Sequence, residues 1–241
     1  MTNIVWIARR TLAVARREGL LGTLERIVKY VRLLLGIPSA EIREYRRFKA
    51  EADRAFDEER GVDTGGTQLL SELTINSPNA ALGGSHIATG PRQFHRAISG
   101  LDIDPATCTF VDLGSGKGRA LMMAADYPFA AITGVEFAEE LDAIARRNLA
   151  RLADPRVTCH LGDADAFDYP PTNLVVFMNN PFDPPLMERI ARRLEASVRD
   201  HPRTVRVVYI NPCTTEAFAR PPWFHVAEVS GGDVFGLAAL S

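Results

Sequence analysis

The sequence predicts an α/β fold: a doubly wound, mostly parallel sheet of seven strands with an antiparallel last strand, plus an N-terminal helical extension. Three observations predict it. From about residue 90 onward, short apolar runs bounded by turns alternate with amphipathic stretches, the pattern of a parallel sheet covered by helices on both faces. Residues 111–120, VDLGSGKGRA, lead an apolar strand straight into three glycines at alternating positions and then into a helix. The final apolar runs, 224–229 and 234–240, are joined by Ser230, Gly231, Gly232 and Asp233, which reads as a β-hairpin, so at least one closing strand runs antiparallel.

The elements follow in order. Residues 3–18 and 20–35 read as helices; in the second, Leu20, Leu21, Leu24, Ile27, Val28, Val31 and Leu35 recur at helical spacing and Gly36 and Pro38 end it. A third helix covers roughly 39–60, with Ile42, Tyr45, Phe48, Ala52 and Phe56 as its apolar stripe. Gly61, Gly65 and Gly66 then break the chain, and residues 67–90 read as irregular, with turn signals at 76–79 and 83–84. A short helix over 91–98 precedes the strand at 109–113. The expected succession is then helix 117–126, strand 131–136, helix 138–151, strands 157–161 and 174–178, helix 184–199 and strand 205–210. Asn173 follows Gly162 by only eleven positions, with Pro170 and Pro171 between them, so no helix is expected between those two strands. The division this suggests is a helical extension over 1–66 and a domain over 67–241 with its core at 90–241.

The chain has 241 residues, 46% apolar and 24% charged, with a formal net charge of −2. That is the balance of a globular protein with one well-buried core and an appendage, and it carries no strong global field that would point to nucleic acid. The charge is uneven. Residues 1–36 carry seven basic side chains against Glu18 and Glu25. These helices read as packing on the core as a lid; a second reading is a basic amphipathic segment on an anionic membrane surface. No uncharged apolar run reaches the ~20 residues of a membrane span, and the arginines at 9, 10, 16 and 17 break any signal-peptide core. Cys108, Cys159 and Cys213 are far apart and each lies in or beside an apolar run, so they read as buried reduced thiols in a cytoplasmic protein. No spacing suggests a metal site.

The glycine turn excludes two ligand classes. A phosphate-binding P-loop needs Lys-Ser/Thr after its last glycine, and Lys117 is followed by Gly118. A dinucleotide fingerprint needs a third glycine at 119, where Arg119 stands. What remains is Gly-x-Gly-x-Gly with Asp112 two residues ahead of Gly114. The second strand ends at Glu136, an acid that can accept from both hydroxyls of a ribose. The third strand is followed by Gly162, Asp163 and Ala164, where a carboxylate can reach an adenine amino group. All three features fall at the carboxyl edge of the sheet, where such folds bind ligands.

On these motifs, VDLGSGKG (111–118), GVE (134–136) and GDA (162–164), residues 90–241 resemble the class I S-adenosylmethionine-dependent methyltransferases, including uncharacterised bacterial members; the terminal hairpin is similar to that family's sixth and seventh strands. The resemblance implies S-adenosylmethionine as cofactor. It implies that Asp112, Gly114, Ser115, Gly116 and Gly118 hold its methionine part, that Glu136 binds its ribose, that Phe137 packs on the adenine, and that Asp163, beside Ala164, bonds the adenine amino group. A nicotinamide-dependent dehydrogenase and a cofactor-binding regulatory module without transfer activity are the alternatives.

The fourth strand runs into Asn179, Asn180, Pro181 and Phe182. This resembles the Asn-Pro-Pro-Tyr motif of methyltransferases that act on planar or amine nitrogens, with Asn180 departing from the usual proline. The resemblance implies that the Asn179 amide and the backbone of Asn180 and Pro181 hold an acceptor nitrogen while Phe182 packs on it. The acceptor itself, a small molecule or a protein, is not specified. His86 reads as a solvent-exposed side chain, with closure over the site as the other reading. The stretch DEERGVDTGG (57–66) resembles one that precedes the catalytic domain in bacterial methyltransferases of this type, with no role assigned beyond glycine turns near the cofactor.

Overall fold

The structure is a computed structural model and describes residues 38–237; the expected helices at 3–18 and 20–35 lie outside the described residues. The chain divides between Glu51 and Ala52. The first helix, α1 (Ala40–Arg60), runs across that division. The expected break at residue 66 does not coincide with it, because residues 53–65 are bonded into the sheet domain, as described below.

Residues 67–90 are more regular than the sequence suggests. They hold a two-stranded antiparallel ribbon, β1 (Thr67–Gln68) with β2 (His86–Ile87), pairing Thr67 with Ile87 and Gln68 with His86. Strands of two residues carry no hydrophobic alternation, so nothing local announces them.

Next come α2 (Pro91–Ser99), β3 (Cys108–Leu113), α3 (Arg119–Ala124), β4 (Ala131–Glu136), α4 (Glu139–Leu152) and β5 (Val157–Leu161). The chain continues through β6 (Asn173–Asn179), α5 (Pro184–Asp200), β7 (Val205–Ile210), β8 (Trp223–Val229) and β9 (Gly232–Leu237). Only a single 3-10 turn, Ala164–Ala166, lies between β5 and β6, so the expected lack of a helix there holds. The sheet order is β5-β4-β3-β6-β7-β9-β8. Every pairing through β7 is parallel, whereas β9 runs antiparallel to both β7 and β8. This is the expected doubly wound sheet with an antiparallel last strand.

Both faces of the sheet are buried, and alternate residues of each strand serve opposite sides. Val111, Leu113, Val176, Met178, Val207 and Tyr209 pack with Leu186, Ile190 and Leu194 of α5. Phe110, Val175, Phe177, Val208 and Ile210 pack with Phe94 of α2 and with Leu121 and Met123 of α3. That double burial is why the strands read as near-continuous apolar runs. Strand order reverses between β3 and β6, so their carboxyl ends, Leu113 and Asn179, flank the crevice in which open α/β sheets bind ligands.

Cys108 and Cys159 are buried as expected, but Cys213 is exposed. It follows β7 by three residues, past a turn in which Asn211 takes a left-handed φ of 50°, and that turn carries it out to the sheet edge. Among the described residues no helix is long and apolar enough to cross a membrane.

Candidate cofactor and acceptor site

The site begins with the turn after β3. Gly114, Gly116 and Gly118 adopt φ of 77°, 53° and 85°, a region that side chains with a Cβ enter only at a cost. The peptide N–H groups of Gly114 and Ser115 donate to the Val135 carbonyl at 2.9 and 3.1 Å, pinning the turn to β4. Space matters as much as φ. A Cβ on Gly114 would lie 2.6 Å from Cβ of Pro181, and a Cβ on Gly116 would collide with the His86 ring.

Glu136, at the end of β4, is buried and accepts from the N–H of Gly116 and of Ala138, each at 2.8 Å. Asp112 is buried too, and among the described residues no donor reaches its carboxyl. Burial raises Asp112 to about 8, with the neighbouring Glu136 pushing the same way. Burial also raises Glu136, against the lowering effect of its backbone hydrogen bonds. Two acids thus share a desolvated place, and either one ionises more readily once a cation arrives.

One cavity is lined by Asp112, Gly114, Ser115, Gly116, Glu136, Phe137, Asn179, Pro181 and Phe182. Nine of the thirteen residues expected at the site are therefore together. The other four stand outside its lining. Gly118 caps α3 and faces Ala145. Asp163 accepts from the Ser77 hydroxyl and, at 2.8 Å, from the Asn79 amide, while Ala164 is buried in the core. Asn180, at a left-handed φ of 46°, turns its side chain toward β7, where its oxygen accepts from the Tyr209 hydroxyl at 3.2 Å and from the N–H of Cys213 at 3.3 Å.

Asn179 keeps a fixed amide. Its nitrogen donates to Thr89 Oγ1 at 3.0 Å and to the Ile87 carbonyl at 3.3 Å, and its oxygen accepts from Asn211 at 2.8 Å. The backbone carbonyls beyond it meet residues 83–89, which form a strap over the site. Pro181 O accepts from the N–H of Gly84 at 2.7 Å, and Gly83 bridges to Phe182. The Phe137 ring stands edge-on to that of Phe182 with centroids 6.3 Å apart.

The sequence missed two features. First, His86 is half-buried against Gly116 and lines the cavity, so the solvent-exposed reading gives way to closure over the site. Second, the DEERGVDTGG stretch grips the glycine turn. Asp57 accepts from the N–H of Thr64 and of Gly65 at 3.0 and 2.8 Å. Thr64 then receives Arg119 Nε at 2.7 Å, while the Arg119 guanidinium pairs with Asp53 and lies 3.4 Å from Asp57. Lys117 Nζ reaches Asp63 and the Gly65 carbonyl, both at 2.9 Å, and Asn148 ties Asp63 to the Lys117 carbonyl. Arg119 had excluded a dinucleotide turn; the acids at 53 and 57, one helical turn apart, were the readable sign that it has partners on α1.

The residues fit a cofactor that brings positive charge. Asp112 offers a carboxyl with no partner among the described residues, the glycine turn offers open backbone, and Phe137 offers a ring at the end of the strand that carries Glu136. Residues 110–201 match the family model of a methyltransferase domain. The chain thus carries an S-adenosylmethionine-dependent methyltransferase domain. No curated protein matches the chain.

The methyltransferase is similar to several solved structures. One is an RNA methyltransferase from Salinibacter ruber in complex with S-adenosyl-L-homocysteine, at 21% identity and a TM-score of 0.47, covering 64% of this chain and 94% of that one. Another is a ribosomal protein L11 methylase from Lactobacillus delbrueckii subsp. bulgaricus, at 15% identity and a TM-score of 0.44, covering 61% and 75%. A third is a predicted N6-adenine-specific DNA methylase from Listeria monocytogenes, at 13% identity and a TM-score of 0.49, covering 64% and 52%.

Proposed function

We propose that this methyltransferase moves the methyl group to a nitrogen, presented at Asn179. The observation that carries the reading is the fixed Asn179 amide on the cavity wall beside Gly114, Pro181 and Phe182. Its oxygen holds one hydrogen bond, from Asn211, and an amide oxygen has a second acceptor position. A neutral amine that donates one N–H there keeps its lone pair for attack. Bound S-adenosylmethionine supplies an electrophilic methyl on a sulfonium, so the chain's task is alignment and exclusion of water more than proton transfer. Asn211 and Thr89 stop the amide from flipping, and Phe182, buried at the strand end, offers an apolar wall for the acceptor.

An open groove of about 520 Å³ meets the strap at Ser85 and is lined by Leu69, Leu70, Leu73 and Ile75 with Ser71. It shares Leu73 and Ser85 with the cavity. This supports an approach for an acceptor whose amine is attached to an apolar body.

The test is incubation of a cell extract with labelled S-adenosylmethionine and the protein, followed by mass spectrometry of the labelled products. Label on nitrogen supports the reading, and label on oxygen or carbon ends it. With the acceptor in hand, Asn179→Ala is expected to cut kcat/KM by about 100-fold or more through lost alignment.

A further inference from the structure

The charge of the chain is divided along its length. Residues 1–50 carry eleven basic side chains against four acidic ones, a net of +7, and residues 51–241 carry seventeen against twenty-six, a net of −9. The same division runs through α1. Residues 40–50 hold Arg43, Arg46, Arg47 and Lys49 against Glu41 and Glu44, whereas residues 51–60 hold five acids against Arg54 and Arg60. The acidic half of the helix is engaged by the sheet domain: Asp53 and Asp57 pair with Arg119, and Phe56 is buried.

The basic half carries its apolar side chains on the outside. Ile42, Tyr45 and Phe48 are 47%, 65% and 64% exposed, and the last two are the most exposed large apolar side chains among the described residues. At about 100° per residue, the three fall on one arc of about 120°. The Ser39 hydroxyl accepts from the N–H of Ile42 at 3.2 Å, a cap that holds the arc in helical register from its first turn. Lys49 lies within the arc, and Arg46 lies about 40° beyond its Ile42 edge. A long basic side chain in such a place lays its stem along an apolar surface and sends its charge to the rim. Glu41, in the first turn, is the one acid on the arc. Arg47 points to the opposite face of the helix.

We propose that this half of α1 lies in the surface of an anionic lipid bilayer, with Ile42, Tyr45 and Phe48 in the headgroup boundary and Arg43, Arg46 and Lys49 beside the lipid phosphates. Apolar burial and charge attraction add in that arrangement. The basic charge of residues 1–36 adds to the same attraction, and the acidic remainder of the chain is repelled, so contact is confined to the basic end. Phosphate is common to lipid headgroups and nucleic acid, and the arc decides between them. A polyanionic backbone leaves an isoleucine and two aromatic rings in water, whereas a bilayer buries them. The proposal involves neither the cofactor nor the acceptor nitrogen, and it stands apart from both.

Flotation of the full chain tests it, with vesicles of phosphatidylcholine alone and of phosphatidylcholine mixed with phosphatidylglycerol. The mixed vesicles are expected to bind at least about tenfold more tightly, and less so as salt rises. Phe48→Ser is expected to weaken that binding roughly tenfold, and Arg46→Ala roughly fivefold. Arg47→Ala, on the opposite face, is expected to cost less than Arg46→Ala. All three keep the wild-type affinity for S-adenosylhomocysteine, which shows that they are folded, and Tyr45→Ser replaces Phe48→Ser if that variant folds poorly. Failure to float with the mixed vesicles, equal binding to both kinds, or flotation that survives Phe48→Ser and Arg46→Ala overturns the proposal. Two other outcomes overturn it by naming a different occupant. Binding of a short RNA in place of vesicles assigns the basic end to nucleic acid, and a dimer that Phe48→Ser converts to monomer in sedimentation makes the arc an interface between copies.

Discussion

Two groups of buried charge lie seven residues apart on the same strand–turn–helix unit, and they are built in opposite ways. Around Arg119 every charge has its partner. The guanidinium is almost fully buried, yet it holds Asp53, Asp57 and the Thr64 hydroxyl and lies over the Phe56 ring at 4.7 Å. Around Asp112 the balance is left open: two acids are buried near each other, and among the described residues no cation pairs with Asp112. The first group is complete without a ligand, and so it fixes the turn. The second is complete only when something positive arrives, and so it binds. Burial alone does not distinguish structure from function here; charge balance does.

The comparison breaks most visibly at Arg119. Arg119→Ala removes the buried guanidinium shared by Asp53, Asp57 and Thr64, and removing one partner of a buried pair costs roughly 3–5 kcal/mol. Urea denaturation reads this as a lower midpoint, and a loss under about 1 kcal/mol would mean that the grip on the turn is ornamental. Arg119→Lys is expected to fall between, since an ammonium cannot reach Thr64 and both aspartates in one plane.

Asp112→Asn acts in the other direction. It removes an unpaired acid from the core, so the free protein gains stability at alkaline pH. It also removes the partner of the cofactor's ammonium, so S-adenosylhomocysteine binding weakens by about 10- to 100-fold. A variant that lost both stability and affinity would show that Asp112 holds the fold, and the contrast with Arg119 would disappear. Gly116→Ala comes next. A left-handed φ costs an alanine on the order of 1–2 kcal/mol, and the added methyl displaces His86. Binding of the cofactor therefore suffers more than the melting temperature does.

How much of this was legible follows from range. The strands, the missing helix after β5 and the closing hairpin were readable because apolar periodicity and turn residues are local. Asp112, Gly116, Glu136 and Asn179 were readable because each sits at a strand end, and strand ends of this fold meet at one edge. The ribbon of β1 with β2 was not, because a pairing between Thr67 and Ile87 leaves no mark within either segment. For the same reason His86 looked like a surface residue until the pairing laid it over Gly116. DEERGVDTGG was visible as a pattern without a cause. Its cause is Arg119, 55 residues beyond Thr64, and only the fold brings them together. Asp163 shows the reverse limit: its place after the third strand was readable, but its engagement by Ser77 and Asn79 comes from a segment that looked irregular.

The sharpest test of the contrast is pH, because it gives stability and affinity opposite slopes. Asp112 has its folded pKa raised to about 8 from the ordinary carboxylate range. A group raised on folding contributes stability that is fully present below the unfolded pKa, about 3.9. That contribution is lost as pH rises through the folded value, since the folded state then holds the extra proton less well. The free protein is thus expected to lose stability between about pH 4 and 8. Cofactor binding runs the other way. An ammonium beside Asp112 favours the ionised acid, so binding releases a proton below the free-protein pKa. Affinity for S-adenosylhomocysteine then rises with pH, by at most about tenfold per unit, and levels off above about 8. Melting curves and titrations across pH 5 to 9 read both slopes, and Asp112→Asn subtracts the background from other groups. If the variant keeps the wild-type slopes, the open charge lies elsewhere; if it flattens both, the acid that weakens the empty fold is the one that holds the cofactor.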